Sequence, residues 1–309
     1  MAFRYSGHET FPCRYAWLPK AFAAIQLDHR AFADEEQAMI RLGVGKNMVR
    51  AIRFWMVATS VGIKCADGGH EPSKFAKAIF SQTRGRDPFL EDTRTLWLLH
   101  WQLATHSVDD PLLAWDFLIN QWQSPEISRS SVLAAFRRVA DKDPRPPSDV
   151  TLEQHFDTFL HTYVPTRSRK GAVQEDNLDC PLVELELLTP VGERRVSGTG
   201  RREPIYAFRI EDKPDITTEL FAYALHDYWL KRHSTERTLT FKDVTFGHGS
   251  PGQIFKLPEW SVRQRLEVLS TDPSGTFRYQ ESPTQQLISR REGATAPSVI
   301  TAYGGSVPC

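Results

Sequence analysis

The nine residues Thr95-Leu-Trp-Leu-Leu-His-Trp-Gln-Leu103 are apolar on almost every side of a 3.6-residue helix. Such a helix has no face to offer water, so the rest of the chain has to fold around it. A bilayer is not the expected surrounding, because no apolar run approaches the roughly 20 residues of a membrane span. Met1 opens no signal-like segment either, and a cytoplasmic protein is the expectation. With 309 residues, 40% hydrophobic and 25% charged, the chain can build two or three modules with real cores.

Helical signals surround that central segment. Arg14–Ile25 follows Pro12, and Asp34–Leu42 and Lys46–Val61 flank a Gly43-Val44-Gly45 break. Ser73–Phe80, Thr93–Thr105, Leu112–Gln121 and Ser128–Ala140 complete a helical region spanning 1–140. Asp141-Lys-Asp-Pro-Arg-Pro-Pro-Ser carries three prolines in eight residues and reads as a linker. It opens a segment, 141–214, with one helix near Leu152–Tyr163 and then irregular chain with short strands. From Asp215 the order is helix (Ile216–Arg232), strand (Thr238-Leu-Thr-Phe), glycine-rich turn, helix (Glu259–Ser270) and two strands (Thr276–Gln280, Gln285–Ser289). That is the order of a winged helix, expected as a separable unit over 215–290, with 291–309 as a mobile tail. The expected fold class is mainly α with minor β.

Net charge is uninformative, since 38 basic residues offset 38 acidic ones. Its distribution is not even: residues 1–100 hold 14 basic and 10 acidic side chains, 101–230 hold 14 and 21, and 231–290 hold 9 and 6. Basic ends can face phosphate, or can be ordinary solvated surface. The strongest local pattern is Arg41-Leu-Gly-Val-Gly-Lys-Asn-Met-Val-Arg-Ala-Ile-Arg-Phe-Trp55, a helix-turn-helix signature over about 34–61. At about 100° per residue, Lys46, Arg50 and Arg53 fall within about 60° of one another, with Asn47 at the margin. Val49, Ile52, Trp55 and Met56 take the other side. One face can pack while the other offers guanidinium forks and an amide to double-stranded DNA. An exposed basic helix with no partner is the plainer reading. Gly43-Val-Gly45-Lys46 is not a phosphate-binding P-loop, because Ile40 and Asn47 replace the required glycine and hydroxyl.

Three clusters are candidates for chemistry. Ser6-Gly-His-Glu-Thr-Phe-Pro-Cys-Arg-Tyr15 combines His8 as acid or base, Glu9 to orient it and Arg14 to clamp a phosphate. The same residues also fit a capping box from Ser6 to Glu9. In Gly247-His-Gly-Ser-Pro-Gly252, Ser250 and Gly252 can form a phosphate nest at a helix start, or Ser250 is simply an N-cap before Pro251. Glu211-Asp-Lys213, with Glu184 and Glu186 upstream, vaguely resembles the acid–lysine core by which restriction-type nucleases hold Mg²⁺. Glu175–Asp179 and His226-Asp227 read more simply as a solvated loop and a structural helix. Four cysteines without a CxxC pair and ten histidines without HExxH leave no assigned metal ligands, and argue against zinc or a disulfide framework.

Ser6-Gly-His-Glu-Thr-Phe-Pro12, Leu42–Arg50, Asp87-Pro-Phe-Leu-Glu-Asp92 leading into Thr95–His100, Cys180-Pro-Leu182 and Ser250-Pro-Gly252 with Phe255 occur together over about residues 3–290. In this combination the chain resembles a bacterial family of formerly unknown function encoded beside DNA sulfur-modification genes. Cys13 stands where a larger apolar or aromatic residue is expected. The resemblance implies a DNA nickase of a phosphorothioation or phage-defence system, opening one strand so that sulfur can replace a phosphate oxygen. The partners it implies are a cysteine desulfurase, an ATP-pyrophosphatase-type sulfur transferase and an ATPase. Mg²⁺ or Mn²⁺ is the candidate cofactor of such nicking, and chemistry without a metal is the alternative. The alternative is a non-enzymatic specificity factor that reads DNA and recruits those enzymes. The resemblance carries over no catalytic residues.

Overall fold

In the computed structural model, residues 3–165, 180–196, 200–273 and 275–304 are described. The basic run Arg167–Lys170 and the acidic run Glu175–Asp179 lie outside them. Among the described residues the fold is mainly α with three small antiparallel sheets.

The first helices are α1 (Trp17–Leu27), α2 (Glu35–Leu42) and α3 (Lys46–Ala58). α2 starts where the Asp34 carboxylate accepts the N–H groups of Glu36 and Gln37. It stops at Gly43, whose left-handed conformation (φ 67°) ends the helix without a Cβ penalty. A short hairpin of β1 (Gly62–Lys64) and β2 (His70–Pro72) follows, and then α4 (Lys74–Phe80). The helical periodicity stops at Val61 and no strand pattern marks this hairpin, although Asp67-Gly68-Gly69 is a turn signal.

Next come α5 (Thr93–Ala104), α6 (Leu113–Asp116), a π-helical turn at Phe117–Gln121, β3 (Ile127–Ser128), α7 (Arg129–Ala140) and α8 (Asp149–Tyr163). Every residue of α5 from Thr95 to Leu103 is buried, as its all-round apolar sequence requires. His100 tolerates this because both ring nitrogens are satisfied. Nε2 donates to the Ile254 carbonyl (2.9 Å), and Nδ1 accepts from the Tyr163 hydroxyl (2.8 Å).

The rest comprises a 3₁₀ turn at Pro181–Leu185, β4 (Leu188–Arg195), β5 (Arg202–Phe208), α9 (Thr218–Arg232), β6 (Thr238–Thr240), α10 (Phe241–Phe246), α11 (Pro251–Ile254), α12 (Glu259–Thr271), β7 (Phe277–Glu281), β8 (Gln286–Arg290) and α13 (Val299–Ala302). β5 sits between β3 and β4, and β8 between β6 and β7. One hydrophobic core runs continuously from Cys13 to Ala302, and α5 is shared by both halves of the chain. Trp101 of α5, for example, donates to Asp227 of α9 (2.7 Å).

Two local expectations need correction. Ser6 and Glu9 form no capping box, since the first helix begins at Trp17 and residues 7–10 are a tight turn. The segment after Gly293 is not a free tail up to Gly304. The Tyr303 hydroxyl lies 2.6 Å from Thr95 Oγ1, and the Arg94 guanidinium sits 5.3 Å over the Tyr303 ring. An aromatic ring that reaches the first turn of the central helix ties the segment down.

The buried histidines make the fold acid-labile. Burial lowers His100 to about 4; burial and then Arg4 lower His8 to about 4; and burial pushes His155 well below its ordinary value. The folded values lie beneath the unfolded ones. The stability they contribute is therefore complete above about pH 6.5 and is lost as pH falls through about 4. Urea melts at pH 7, 5.5 and 4.5 should show a steadily falling midpoint. A flat profile over that range would mean that these rings take up protons without unfolding.

Candidate nucleic-acid interface

The turn at residues 7–10, α3 and the β1–β2 hairpin enclose an open cleft of about 520 Å³. Arg4, Arg50, Arg53 and Lys64 bring four cations to it, against the single carboxylate of Glu9, and Phe54 and Val57 form part of its floor. α3 supplies the charges because its amphipathic sequence leaves it no choice. Val49, Ile52, Phe54, Trp55 and Met56 are buried, so Lys46, Asn47, Arg50 and Arg53 turn outward. Arg4 stacks its guanidinium 4.9 Å from the Phe54 ring centre.

The wall that carries Glu9 is strained. Glu9 (φ 50°) and Thr10 (φ 63°) are consecutive non-glycine residues in the left-handed region. Such residues cost on the order of 1–3 kcal/mol each and persist only where the surroundings fix them. Here the Trp55 indole donates to the Phe11 carbonyl and holds the turn (2.9 Å).

α2 tempers the cationic face. Glu35 accepts a forked pair of bonds from Arg50 (Nε 2.7 Å, Nη2 3.2 Å), and Lys46 Nζ lies 3.1 Å away. Bonds from Arg50 and then Lys46 hold the Glu35 carboxyl down to about 2. Arg53 and Lys64 have no ion-pair partner among the described residues. Their charge is felt at His70, whose pKa is lowered by burial first and by these two cations after it.

The three residues of the candidate acid–base cluster are not brought together. His8 is only 3% exposed. The Ala114 N–H donates to His155 Nε2 (3.0 Å), so the proton of His155 is on Nδ1 and is given to His8 Nε2 (3.0 Å). His8 Nδ1 meets Thr158 Oγ1 at 3.1 Å. Neither nitrogen of His8 is left to act on a substrate. Glu9 stands on the cleft wall, while Arg14 stacks on Phe11 and Trp17 (6.0 and 5.4 Å).

Ser250 and Gly252 are inside the fold. Ser250 is fully buried, and its hydroxyl caps α11 by accepting the Gln253 N–H (3.3 Å). Gly252 is packed against Thr245 so closely that a Cβ would fall 2.3 Å from the Thr245 carbonyl oxygen. The N-cap reading of this loop accounts for both. The acid–lysine triplet also takes a structural form. Glu186 and Glu211 both pair with the Arg209 guanidinium, Glu184 accepts from the Tyr15 hydroxyl, and Lys213 Nζ donates to the carbonyls of Arg209, Glu211 and Lys256. His226 and Asp227 lie on α9, where Asp227 also pairs with Lys231 (2.7 Å).

Arg4 and Lys64 were missed by sequence reasoning. The Asp67-Gly68 turn signal marks the hairpin that carries Lys64, but no local pattern marks Arg4.

Residues 5–303 match a family model described as a protein of unknown function, DUF4007. Two solved structures are similar over 98% of this chain and 87% of their own. One is a magnesium ion-bound SspB crystal structure (26% identity, TM-score 0.79), and the other is an SspB crystal structure (26% identity, TM-score 0.77). No curated protein matches the chain.

Proposed function

The chain belongs to the DUF4007 family, and on that premise we propose that it is an SspB-like DNA-binding nickase of a phosphorothioation or phage-defence system. The observation that carries the reading is the four-cation cleft beside the outward face of α3, on a chain similar to SspB over nearly its whole length. α2, the Gly43–Gly45 turn and α3 act as a helix-turn-helix, with Lys46, Asn47, Arg50 and Arg53 meeting the duplex and Arg4 and Lys64 holding backbone phosphate.

The order α9–β6–α10–α11–α12–β7–β8, with β8 central in its sheet, supports reading residues 215–290 as a winged helix with β7–β8 as the wing. Its α12 does not add a second DNA-reading surface. The exposed residues are Glu259, Trp260, Gln264, Glu267, Val268 and Thr271, while Arg263 pairs with Glu281 (2.6 Å) and Arg265 is buried. This face suits the protein partners of such a system, namely a cysteine desulfurase, a sulfur transferase and an ATPase.

Magnesium accompanies one SspB structure. Mg²⁺ is commonly held by one or two carboxylates together with substrate phosphates. The described residues gather no group of three or more His, Cys, Asp or Glu that would hold a metal by themselves. Among the described residues, no helix is long and apolar enough to cross a membrane.

The non-enzymatic specificity factor is the second reading, and the dispersal of His8, Glu9 and Arg14 favours it. Supercoiled plasmid incubated with the protein, with and without Mg²⁺ or Mn²⁺, separates the two. Conversion to open circles supports the nickase, whereas binding without conversion supports the factor. The cleft itself has an independent check. Glu35→Gln releases Arg50 and Lys46 from their carboxylate and is expected to tighten duplex binding several-fold at low salt. Equal or weaker binding by a folded variant would mean that Glu35 positions the fork for DNA rather than competing with it.

A further inference from the structure

Asp116 ends α6 and is 2% exposed, yet it carries a carboxylate. It accepts from His248 Nε2 (2.6 Å) and from the Gln121 amide (2.8 Å). Since Nε2 carries the proton, the His248 lone pair is on Nδ1. Nδ1 has no protein partner among the described residues and is not sealed in, and the side chain is 35% exposed. The loop presenting His248 turns at Gly249 (φ 78°), whose N–H donates to Asn120 Oδ1 (2.8 Å). The other end of that amide, Asn120 Nδ2, is buried with no partner. Asn120 belongs to the π-helical turn at Phe117–Gln121, a distortion that is frequent at functional sites. A cation is also at hand, because a Cβ on Gly249 would fall 2.7 Å from Arg232 Nε.

Anchoring a loop explains the Asp116–His248 bond. It does not explain a histidine left with a solvent-reaching lone pair. A ring oriented through one nitrogen by a buried carboxylate, with the other nitrogen open to solvent, is the arrangement of a general base. Leu112, which is bridged to Arg4 of the cationic cleft, is one helical turn or about 6 Å of chain from Asp116.

We propose that Asp116 and His248 form the acid–base pair of a phosphodiester-hydrolysing centre, with Arg232, the cation packed against the His248 loop, receiving a non-bridging oxygen. This rests on the nickase reading above. His248 Nδ1 takes a proton from water as the water oxygen bonds to phosphorus. The bond from phosphorus to the leaving oxygen breaks with its electron pair on that oxygen, which takes up a proton. Diester and water give monoester and alcohol, and His248 returns its proton to solvent. Asp116 positions the ring and stabilises its protonated form; it is a positioning residue.

The test uses the full chain with Mg²⁺ present, supercoiled plasmid and bis(p-nitrophenyl) phosphate as substrates, and duplex binding measured alongside. His248→Gln is expected to lower both hydrolyses at least 100-fold with binding unchanged. Asp116→Asn is expected to lower kcat on the small diester by a smaller factor with KM unchanged, because the carboxylate orients the ring and touches no substrate. A folded His248→Gln that hydrolyses at the wild-type rate overturns the pair while leaving the nickase reading intact. Wild-type protein that cleaves the small diester in a His248-dependent way but never nicks plasmid leaves the pair standing and removes the nickase reading. Activity on neither substrate overturns both. If His248→Gln does not fold, Asp116→Asn decides: a folded variant with the wild-type kcat and KM overturns the proposal.

Discussion

Gly252→Ala is expected to lower the urea midpoint sharply, with a cost of about 3 kcal/mol, the upper end of the range for overfilled cores. The new Cβ would meet the carbonyl oxygen, Cα and carbonyl carbon of Thr245 at 2.3, 2.7 and 2.8 Å. All three are backbone atoms in or next to buried structure, so no side chain can rotate away to make room. The α10–α11 connection would have to open, and the hydrogen bond from the Leu257 N–H to the Gly252 carbonyl (3.0 Å) would open with it. A phosphate nest at this loop makes the opposite forecast, weaker DNA binding at unchanged stability. Measuring both on one variant separates them. Unchanged stability with impaired binding would return Ser250 and Gly252 to the interface.

The paired change Arg50→Ala, Arg53→Ala should weaken duplex binding by about 2–4 kcal/mol and flatten its salt dependence by about one unit of slope per lost phosphate contact. Both side chains stand away from the buried Val49, Ile52 and Met56 stripe, so the core is not touched. The fold loses only the Arg50–Glu35 pair, an exposed ion pair of the kind that adds little to stability. Thermal stability should therefore stay close to wild type. Binding that is unaltered at several salt concentrations would take α3 out of the interface altogether. Binding that weakens with an unchanged salt slope would place these side chains on base edges rather than phosphates.

The elements whose determinants are local were legible in the sequence. α5 is helical and central because nine successive residues leave it no polar face. α2 ends where it does because Gly43 is the residue that can turn left-handed, and α3 turns its basic residues outward because its apolar stripe has to pack. The strands β7 and β8 were placed within a residue by their alternation and the Pro283-bearing turn between them. What local pattern cannot contain is which part of a turn or loop the rest of the chain will cover. His8 looks reactive beside Glu9 and Arg14, but partners about 150 residues away, His155 and Thr158, enclose it. His248 looks like part of a glycine-rich turn until Asp116, 132 residues earlier, fixes its tautomer. Arg4 and Lys64 join the cleft only because the N-terminal segment bridges Leu112 and a hairpin folds beside α3. Glu35 meets Arg50 only once the Gly43–Gly45 turn has set the angle between two helices. A side chain's chemistry depends on the water, charge and hydrogen-bond partners around it, and in these cases those are delivered by long-range packing that no window of neighbouring residues encodes.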